Sequence, residues 1–134
     1  MGLLDRLFGQ KREILPVHIA DAATFEREVT RSDQPVIVDV WSDNCAPCRQ
    51  LAPVLIDIAT RYEGRVKVAE VNTSGDPALV RKLGAMATPT ILVFRRGREI
   101  GRVVGFHPRG WFDEMIAAEF PKSRDDGAIE PEAE

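Results

Sequence analysis

The stretch Val-Ile-Val-Asp-Val-Trp-Ser-Asp-Asn-Cys-Ala-Pro-Cys-Arg at residues 36–49 decides the fold. Its first part, Val36–Trp41, consists almost entirely of β-branched and apolar residues, which is typical of a strand buried on both faces. Cys45 and Cys48 follow, and apolar residues at helical spacing begin directly after them. A strand, a Cys-x-x-Cys pair and a helix in this order favour a redox site over a structural crosslink.

Apolar periodicity on either side of this stretch predicts an alternation of strands and helices. Asp21 and the pair Asp76-Pro77 are typical helix starts, and Gly97 lies in a predicted hairpin turn. The predicted strands are Val17–Ile19, Val36–Trp41, Val66–Val71, Thr90–Phe94 and Glu99–Val104, and the predicted helices run from Asp21 past Val29, from Cys45 to Tyr62, from Asp76 to Leu83 and from Pro108 to Phe120. Early strand–helix–strand units connect parallel strands, whereas the final hairpin adds antiparallel ones. The sequence therefore predicts an α/β fold with a mixed central β-sheet flanked by helices on both faces.

Composition restricts the classes of function. The 134 residues suffice for one domain, and the hydrophobic and charged fractions of 44% and 29% are ordinary for a globular protein. Two cysteines are too few for a secreted scaffold that is stapled by disulfides. The net charge of −3 argues against attraction to nucleic acid or to an anionic membrane by bulk charge. We expect a monomer that binds neither nucleic acid nor, stably, a membrane.

The two ends differ from the domain between them. Residues 1–13 form a predicted amphipathic extension, residues 14–121 the domain, and residues 122–134 a predicted disordered acidic tail that carries the whole net charge. Asp5 and Arg6 interrupt the short apolar stripe of the extension, so it matches neither a signal peptide nor a transmembrane span. The predicted compartment is therefore the cytoplasm, where a cysteine pair is more often catalytic or metal-binding than structural.

The spacing of the two cysteines suits thiol chemistry. Two intervening residues can bring the sulfur atoms within bonding distance at a helix start. Cys45 would lie at the N-terminus of the helix, where unpaired N–H groups and the helix dipole stabilise a thiolate. Pro47 stiffens the first turn without removing a needed donor, and Arg49 adds positive charge nearby. We therefore expect Cys45 to be an exposed nucleophile and Cys48 a more buried resolving thiol.

Metal binding is a weaker alternative for the same pair, and inert thiols are a third. A zinc site needs two more ligands, yet only His18 and His107 offer imidazoles, and they lie far apart in the sequence. The cysteine count excludes a four-cysteine iron–sulfur site within one chain. We interpret His18 as filler on an edge strand and His107 as a residue before a helix start, and we predict no metal ligand.

The segment from Asp39 to Arg49, followed by Pro53, resembles the active-site segment of thioredoxins. Thr88-Pro89-Thr90 is similar to the cis-proline segment of that family, and Gly97 and Gly105 fall where thioredoxins carry glycines. The similarity covers residues 14–120 and implies a thioredoxin fold. It also implies protein-disulfide reduction by dithiol–disulfide exchange in cell redox homeostasis. No cofactor would be bound, and NADPH would act indirectly through an electron donor similar to thioredoxin reductase.

The resemblance assigns roles residue by residue. It makes Cys45 the nucleophile, Cys48 the resolving thiol and Asp39 the proton relay to Cys48. Asp39 lies in an apolar strand, so desolvation should raise its pKa and suit it to proton transfer near neutral pH. The residues expected to support the active site are Trp41, Ala46, Pro47 and Arg49, and those expected to contact substrate are Asn44, Thr88, Pro89 and Gly105.

Four positions depart from the usual pattern of the family. Asn44 stands in place of a tryptophan, and Ala46 in place of a glycine. Thr88 replaces an isoleucine, and Glu70 stands where many thioredoxins carry a lysine. If Asp39 and Glu70 are close, their like charges should push one pKa up further. The redox potential and the set of partners therefore do not follow from the resemblance.

A second hypothesis is a thioredoxin-fold interaction or chaperone-type module in which redox turnover is secondary. It rests on the apolar stripe of the N-terminal extension and on the acidic tail, because a minimal thioredoxin needs neither. The stripe could bind a partner, a second copy or, weakly, a membrane. It consists of Leu3, Leu4, Leu7 and Phe8.

Overall fold

The computed structural model describes residues 12–122. The predicted apolar stripe and all but the first residue of the predicted acidic tail lie outside this range. Within it, strands and helices follow the predicted order. They are β1 (Val17–His18), α1 (Ala22–Phe25, continued by a π-helical turn over Glu26–Thr30), β2 (Val36–Trp41), α2 (Ala46–Arg61), β3 (Lys67–Asn72), α3 (Pro77–Leu83), β4 (Thr90–Arg95), β5 (Arg98–Val104) and α4 (Arg109–Glu119).

The strands form one mixed sheet in the order β1-β3-β2-β4-β5. The first three neighbours, β1, β3 and β2, run parallel. β4 is antiparallel to β2, and β5 is antiparallel to β4. This arrangement confirms the predicted mixed sheet, because crossover helices connect the parallel strands and a tight hairpin joins the last two.

Two apolar clusters cover the two faces of the sheet. Alternate residues of a strand point to opposite faces, so Ile37 and Val38 of β2 belong to different clusters. Helices α2 and α4 pack on the face of Ile37, whereas α1 and α3 pack on the face of Val38. The main members of the first cluster are Leu51, Leu55, Ile58, Phe112 and Ile116, and those of the second are Val29, Val40, Leu79, Leu83 and Phe94. Helices therefore flank both faces, as predicted.

The helix after Asp21 differs from the continuous α-helix that the sequence predicts. Asp21 caps it as predicted, since its side chain accepts a hydrogen bond from the Thr24 N–H. The helix then widens into a π-helical turn, where the Arg31 N–H bonds to the Glu26 carbonyl at 2.9 Å. Phe25 and Val29 both face the sheet, where Phe25 packs edge-on against Phe94.

The hairpin between β4 and β5 requires a glycine at position 97. Gly97 has a φ of +79°, which favours glycine, and a Cβ built on it would lie 2.7 Å from the Thr30 carbonyl oxygen. The turn therefore combines left-handed backbone with a close approach to the end of the π-helical turn. Within residues 12–122, no helix is both long and apolar enough to cross a membrane.

Asp76 caps the N-terminus of α3, as the sequence predicts. The Asp76 carboxylate accepts hydrogen bonds from the N–H groups of Ala78 and Leu79, at 3.0 and 3.3 Å. Asp76→Ala leaves these donors without that partner, so we expect it to lower the free energy of unfolding by about 1 kcal/mol in urea denaturation. Glu114→Ala, which removes an exposed carboxylate from the middle of α4, is the matched control. Equal stability of the two variants would contradict the capping role.

Candidate active site

The end of β2 and the start of α2 position the cysteine pair. Trp41 ends the strand, and Asn44 adopts a left-handed backbone with a φ of 57°, a conformation that asparagine tolerates better than most residues. This turns the chain into α2, with Cys45 as its N-cap. The Cys45 Sγ accepts a hydrogen bond from the Cys48 N–H at 3.2 Å. The sulfur of Cys45 therefore occupies the place of a capping oxygen.

The two sulfur atoms lie close to disulfide distance, with the Cα atoms 5.2 Å apart. Cys48 is only 5% exposed, whereas Cys45 is half-buried and more accessible. Ala46 and Pro47 occupy the exposed first turn of α2, and the Arg49 side chain is exposed one residue after Cys48. The geometry matches the expected difference between an accessible and a buried thiol.

The Thr88–Pro89 segment faces the cysteine pair, and its peptide bond is cis, as the resemblance implied. The Thr88 carbonyl oxygen lies 3.7 Å from the Cys45 Sγ, and its hydroxyl lies 3.8 Å from the same sulfur. The Ser42 Oγ lies 2.6 Å from the Thr88 Oγ1. Each hydroxyl has one proton, so Ser42 can donate to Thr88 while Thr88 donates toward sulfur. No sequence pattern singles out Ser42, because only the fold brings it to Thr88.

Gly105 supports the same segment from the end of β5. Its N–H donates to the Pro89 carbonyl at 2.8 Å, and its φ of +98° favours glycine. His107 lies two residues on, beside the Gly105 carbonyl and against the Trp111 ring. A backbone hydrogen bond therefore joins Gly105 to Pro89, and both lie with Thr88 in the segment next to Cys45.

Asp39 lies beneath the cysteines on the α2 face of the sheet. It is 5% exposed, and its Oδ1 has no hydrogen-bond partner among the described residues. Burial, and to a smaller extent the charge of Glu70, raise the pKa of Asp39 to about 7. Asp39, Trp41, Cys48 and Glu70 line a common pocket of about 290 Å³. The direction of the pKa shift agrees with the prediction, and Glu70 is close enough to contribute to it, which the sequence left as a condition.

Glu70 has two partners that sequence reasoning missed. Its carboxylate accepts a hydrogen bond from the Trp41 indole N–H, and its Oε2 lies 2.7 Å from the His18 Nδ1. His18 lies on the edge strand β1, as interpreted, but it has a partner in Glu70 that the interpretation did not include. Only the register of β1 against β3 would have shown this pairing, and two residues of strand carry too little pattern to fix a register.

Two exposed apolar residues lie close in sequence to the segment that faces Cys45. Met86, two residues before Thr88, is 95% exposed, and Phe106 next to Gly105 is 41% exposed. Both were missed, because a single apolar residue in a predicted loop has no periodicity to mark it.

Among residues 12–122, no group of three or more His, Cys, Asp or Glu side chains is arranged to hold a metal ion.

Comparisons with known proteins agree with this arrangement. The family model for thioredoxin matches residues 16–118. The chain is 44% identical to thioredoxin 1 of Nostoc sp. over 94 residues, which are 70% of this chain and 88% of the relative. It is 42% identical to thioredoxin 1 of Synechococcus elongatus over 87 residues, 65% of this chain and 81% of the relative. It is 38% identical to thioredoxin of Rickettsia bellii over 93 residues, 69% of this chain and 89% of the relative.

Proposed function

Because this chain belongs to the thioredoxin family, we propose that it reduces disulfide bonds in protein substrates through Cys45 and Cys48. Its activity is that of a dithiol–disulfide oxidoreductase. The observation that carries the proposal is the cysteine pair itself. One sulfur caps a helix and is accessible, and the other is buried in the pocket that contains Asp39. The reaction needs no bound cofactor, since the pair carries the two electrons.

The proposed mechanism begins with attack of the Cys45 thiolate on a substrate disulfide. One substrate thiolate leaves, and Cys45 is joined to the other sulfur in a mixed disulfide. The Cys48 thiol then gives its proton to Asp39, and its sulfur attacks Cys45. The mixed disulfide breaks, the second substrate thiolate leaves, and a Cys45–Cys48 disulfide remains. A carboxyl whose pKa lies near neutrality is suited to this proton transfer.

The proposed substrate-binding surface surrounds Cys45. An extended peptide would pair with the backbone of Thr88 as an added strand, next to the cis Pro89. Exposed Met86 and Phe106, each one or two residues from this segment's residues in sequence, would offer apolar contacts, and Met is adaptable to different partners. Asn44 would supply a polar contact where a tryptophan is usual, with Gly105 holding Pro89 in place. This surface suits extended protein segments.

We propose a thioredoxin-reductase-like protein as the electron donor, with NADPH acting through that partner, and the cytoplasm as the site of action. The support is chemical, because each turnover leaves the Cys45–Cys48 disulfide and a reducing compartment must restore the dithiol. The protein would act as a monomer in cell redox homeostasis. The alternative of an interaction module is not favoured, since the chain carries a complete redox pair and belongs to a family of oxidoreductases.

A coupled assay tests the proposed function. Full-length protein is mixed with NADPH, a thioredoxin reductase and a protein disulfide, and NADPH oxidation is followed with and without the chain. We expect oxidation that depends on all components. A redox titration accompanies it, and a potential near roughly −270 mV supports a reductase, whereas one near roughly −120 mV would identify an oxidant. Absence of turnover with both the reductase and a chemical dithiol donor would contradict the proposed function.

A further inference from the structure

Three titratable side chains form a row across three parallel strands on the α2 face of the sheet. His18 of β1 lies opposite Glu70 of β3, and Glu70 lies opposite Asp39 of β2. Neighbouring strands are about 5 Å apart, so the row leads from the edge of the sheet to the buried carboxyl in two steps. Exposure falls along it, from 60% for the His18 side chain to 24% for Glu70 and 5% for the whole Asp39 residue.

A hydrogen bond joins His18 to Glu70 at the outer end of this row, whereas a pocket separates Glu70 from Asp39 at its inner end. The His18 Nδ1 and the Glu70 Oε2 are 2.7 Å apart, and the Trp41 indole holds the other Glu70 oxygen. Asp39 and Glu70 both line the pocket of about 290 Å³, which has room for water molecules between them. The other walls of this pocket are apolar apart from Cys48 and Trp41, and the β4 neighbour of Asp39 is Ile91. Glu70 and Cys48 are thus the titratable groups that line this pocket together with Asp39, and His18 is linked to it through Glu70.

We propose that Asp39, after it takes the proton from Cys48, passes this proton to solvent by way of Glu70 and His18. Both act through Asp39 and are therefore positioning residues. The inference rests on the proposed function and concerns the resolving step. There the proton of the Cys48 thiol passes to the Asp39 carboxylate while the Cys45–Cys48 bond forms and the mixed disulfide breaks. Asp39 must lose that proton before the next turnover, and the residue itself is only 5% exposed. Imidazole has two ring nitrogens, so one can accept a proton while the other releases one, which suits His18 to the exposed end of the row.

The two steps can be resolved with one equivalent of dithiobis(nitrobenzoate), a disulfide that releases a coloured thiolate. The first equivalent of colour reports attack by Cys45, and the second reports attack by Cys48. We compare the reduced wild-type chain with Glu70→Gln and His18→Gln from about pH 6 to about pH 9. Glu26→Gln is the matched control, because it removes an exposed carboxylate from the helix after β1.

We expect Glu70→Gln to leave both phases of this single turnover unchanged and to slow by roughly tenfold the plateau rate of repeated turnover with a protein disulfide and excess dithiol, in which Asp39 must lose its proton in every cycle. His18→Gln should slow it in the same direction, and added imidazole should restore the rate in both variants. An unchanged first phase also shows that the variant is folded. A shifted pH midpoint with an unchanged plateau would overturn the proposal, since Glu70 would then act only through its charge. Failure of the wild-type chain to release either equivalent would instead contradict the proposed function.

Discussion

Replacing Cys45 by serine is expected to abolish protein-disulfide reduction, with a loss of roughly 10³-fold or more in turnover. The serine hydroxyl does not ionise near neutral pH, so no anion forms at the N-cap of α2 to attack a disulfide. The fold should persist, because a serine oxygen can accept the hydrogen bond that the Cys48 N–H gives to sulfur. The measurement is reductase-coupled NADPH oxidation, with urea denaturation of the reduced proteins as a check on folding.

Cys48→Ser is the matched variant, since it removes the other sulfur and keeps the accessible one. It should attack a substrate disulfide once and then stop, because no thiol remains to resolve the mixed disulfide. Mass spectrometry under non-reducing conditions should find the substrate bound covalently to Cys45, and a dithiol should release it. Full turnover by Cys45→Ser, or stable adducts in that variant and not in Cys48→Ser, would reverse the assigned roles.

Much of the fold follows from local pattern. The run of β-branched residues in Val36–Trp41 predicts a strand buried on both faces, and the structure has that strand with the same bounds. The Asp76-Pro77 pair predicts a helix start, and α3 begins there. These features depend on residues that are neighbours in sequence, so a pattern can report them. The π-helical turn after Phe25 is different, because the four-residue spacing of Phe25 and Val29 suits an ordinary helix equally well and does not mark the wider turn.

In the candidate site, too, some features follow from residues that are neighbours in sequence, and others depend on the fold. The Cys-x-x-Cys pair and the buried Asp39 are visible in one short stretch of sequence. The hydroxyl pair of Ser42 and Thr88 and the ion pair of His18 and Glu70 join residues that are 46 and 52 positions apart. Their contacts depend on a loop conformation and on strand register, and neither has a local signal. From the sequence alone, Thr88 is only a replacement for the more usual isoleucine. In the structure, its hydroxyl lies beside the Cys45 sulfur.

Replacing Asp39 by asparagine is expected to stabilise the folded protein increasingly as the pH rises. Burial, with a contribution from Glu70, raises the pKa of Asp39 from 3.8 to about 7. Below the pKa that Asp39 has in the unfolded chain, its carboxyl is neutral in both states, and ionisation takes nothing from the free energy of unfolding. Between the two values the unfolded chain ionises while the folded chain holds its proton, so the stability of the wild-type protein falls. Above about pH 7 the cost is complete, at about 4 kcal/mol from a shift of this size.

Urea denaturation of the oxidised proteins from about pH 4 to about pH 8 measures this effect, because the asparagine side chain does not ionise over that range. The free energy of unfolding of Asp39→Asn minus that of the wild type should rise by about 4 kcal/mol across it. Asp113→Asn is a control of opposite sign. The hydrogen bond from Tyr62, helped by Arg61, lowers the pKa of Asp113, so that carboxylate stabilises the fold at neutral pH. A difference for Asp39→Asn that stays flat with pH would mean that Asp39 is solvated or paired when ionised. It would then lack the raised pKa on which its role as a base near neutrality depends.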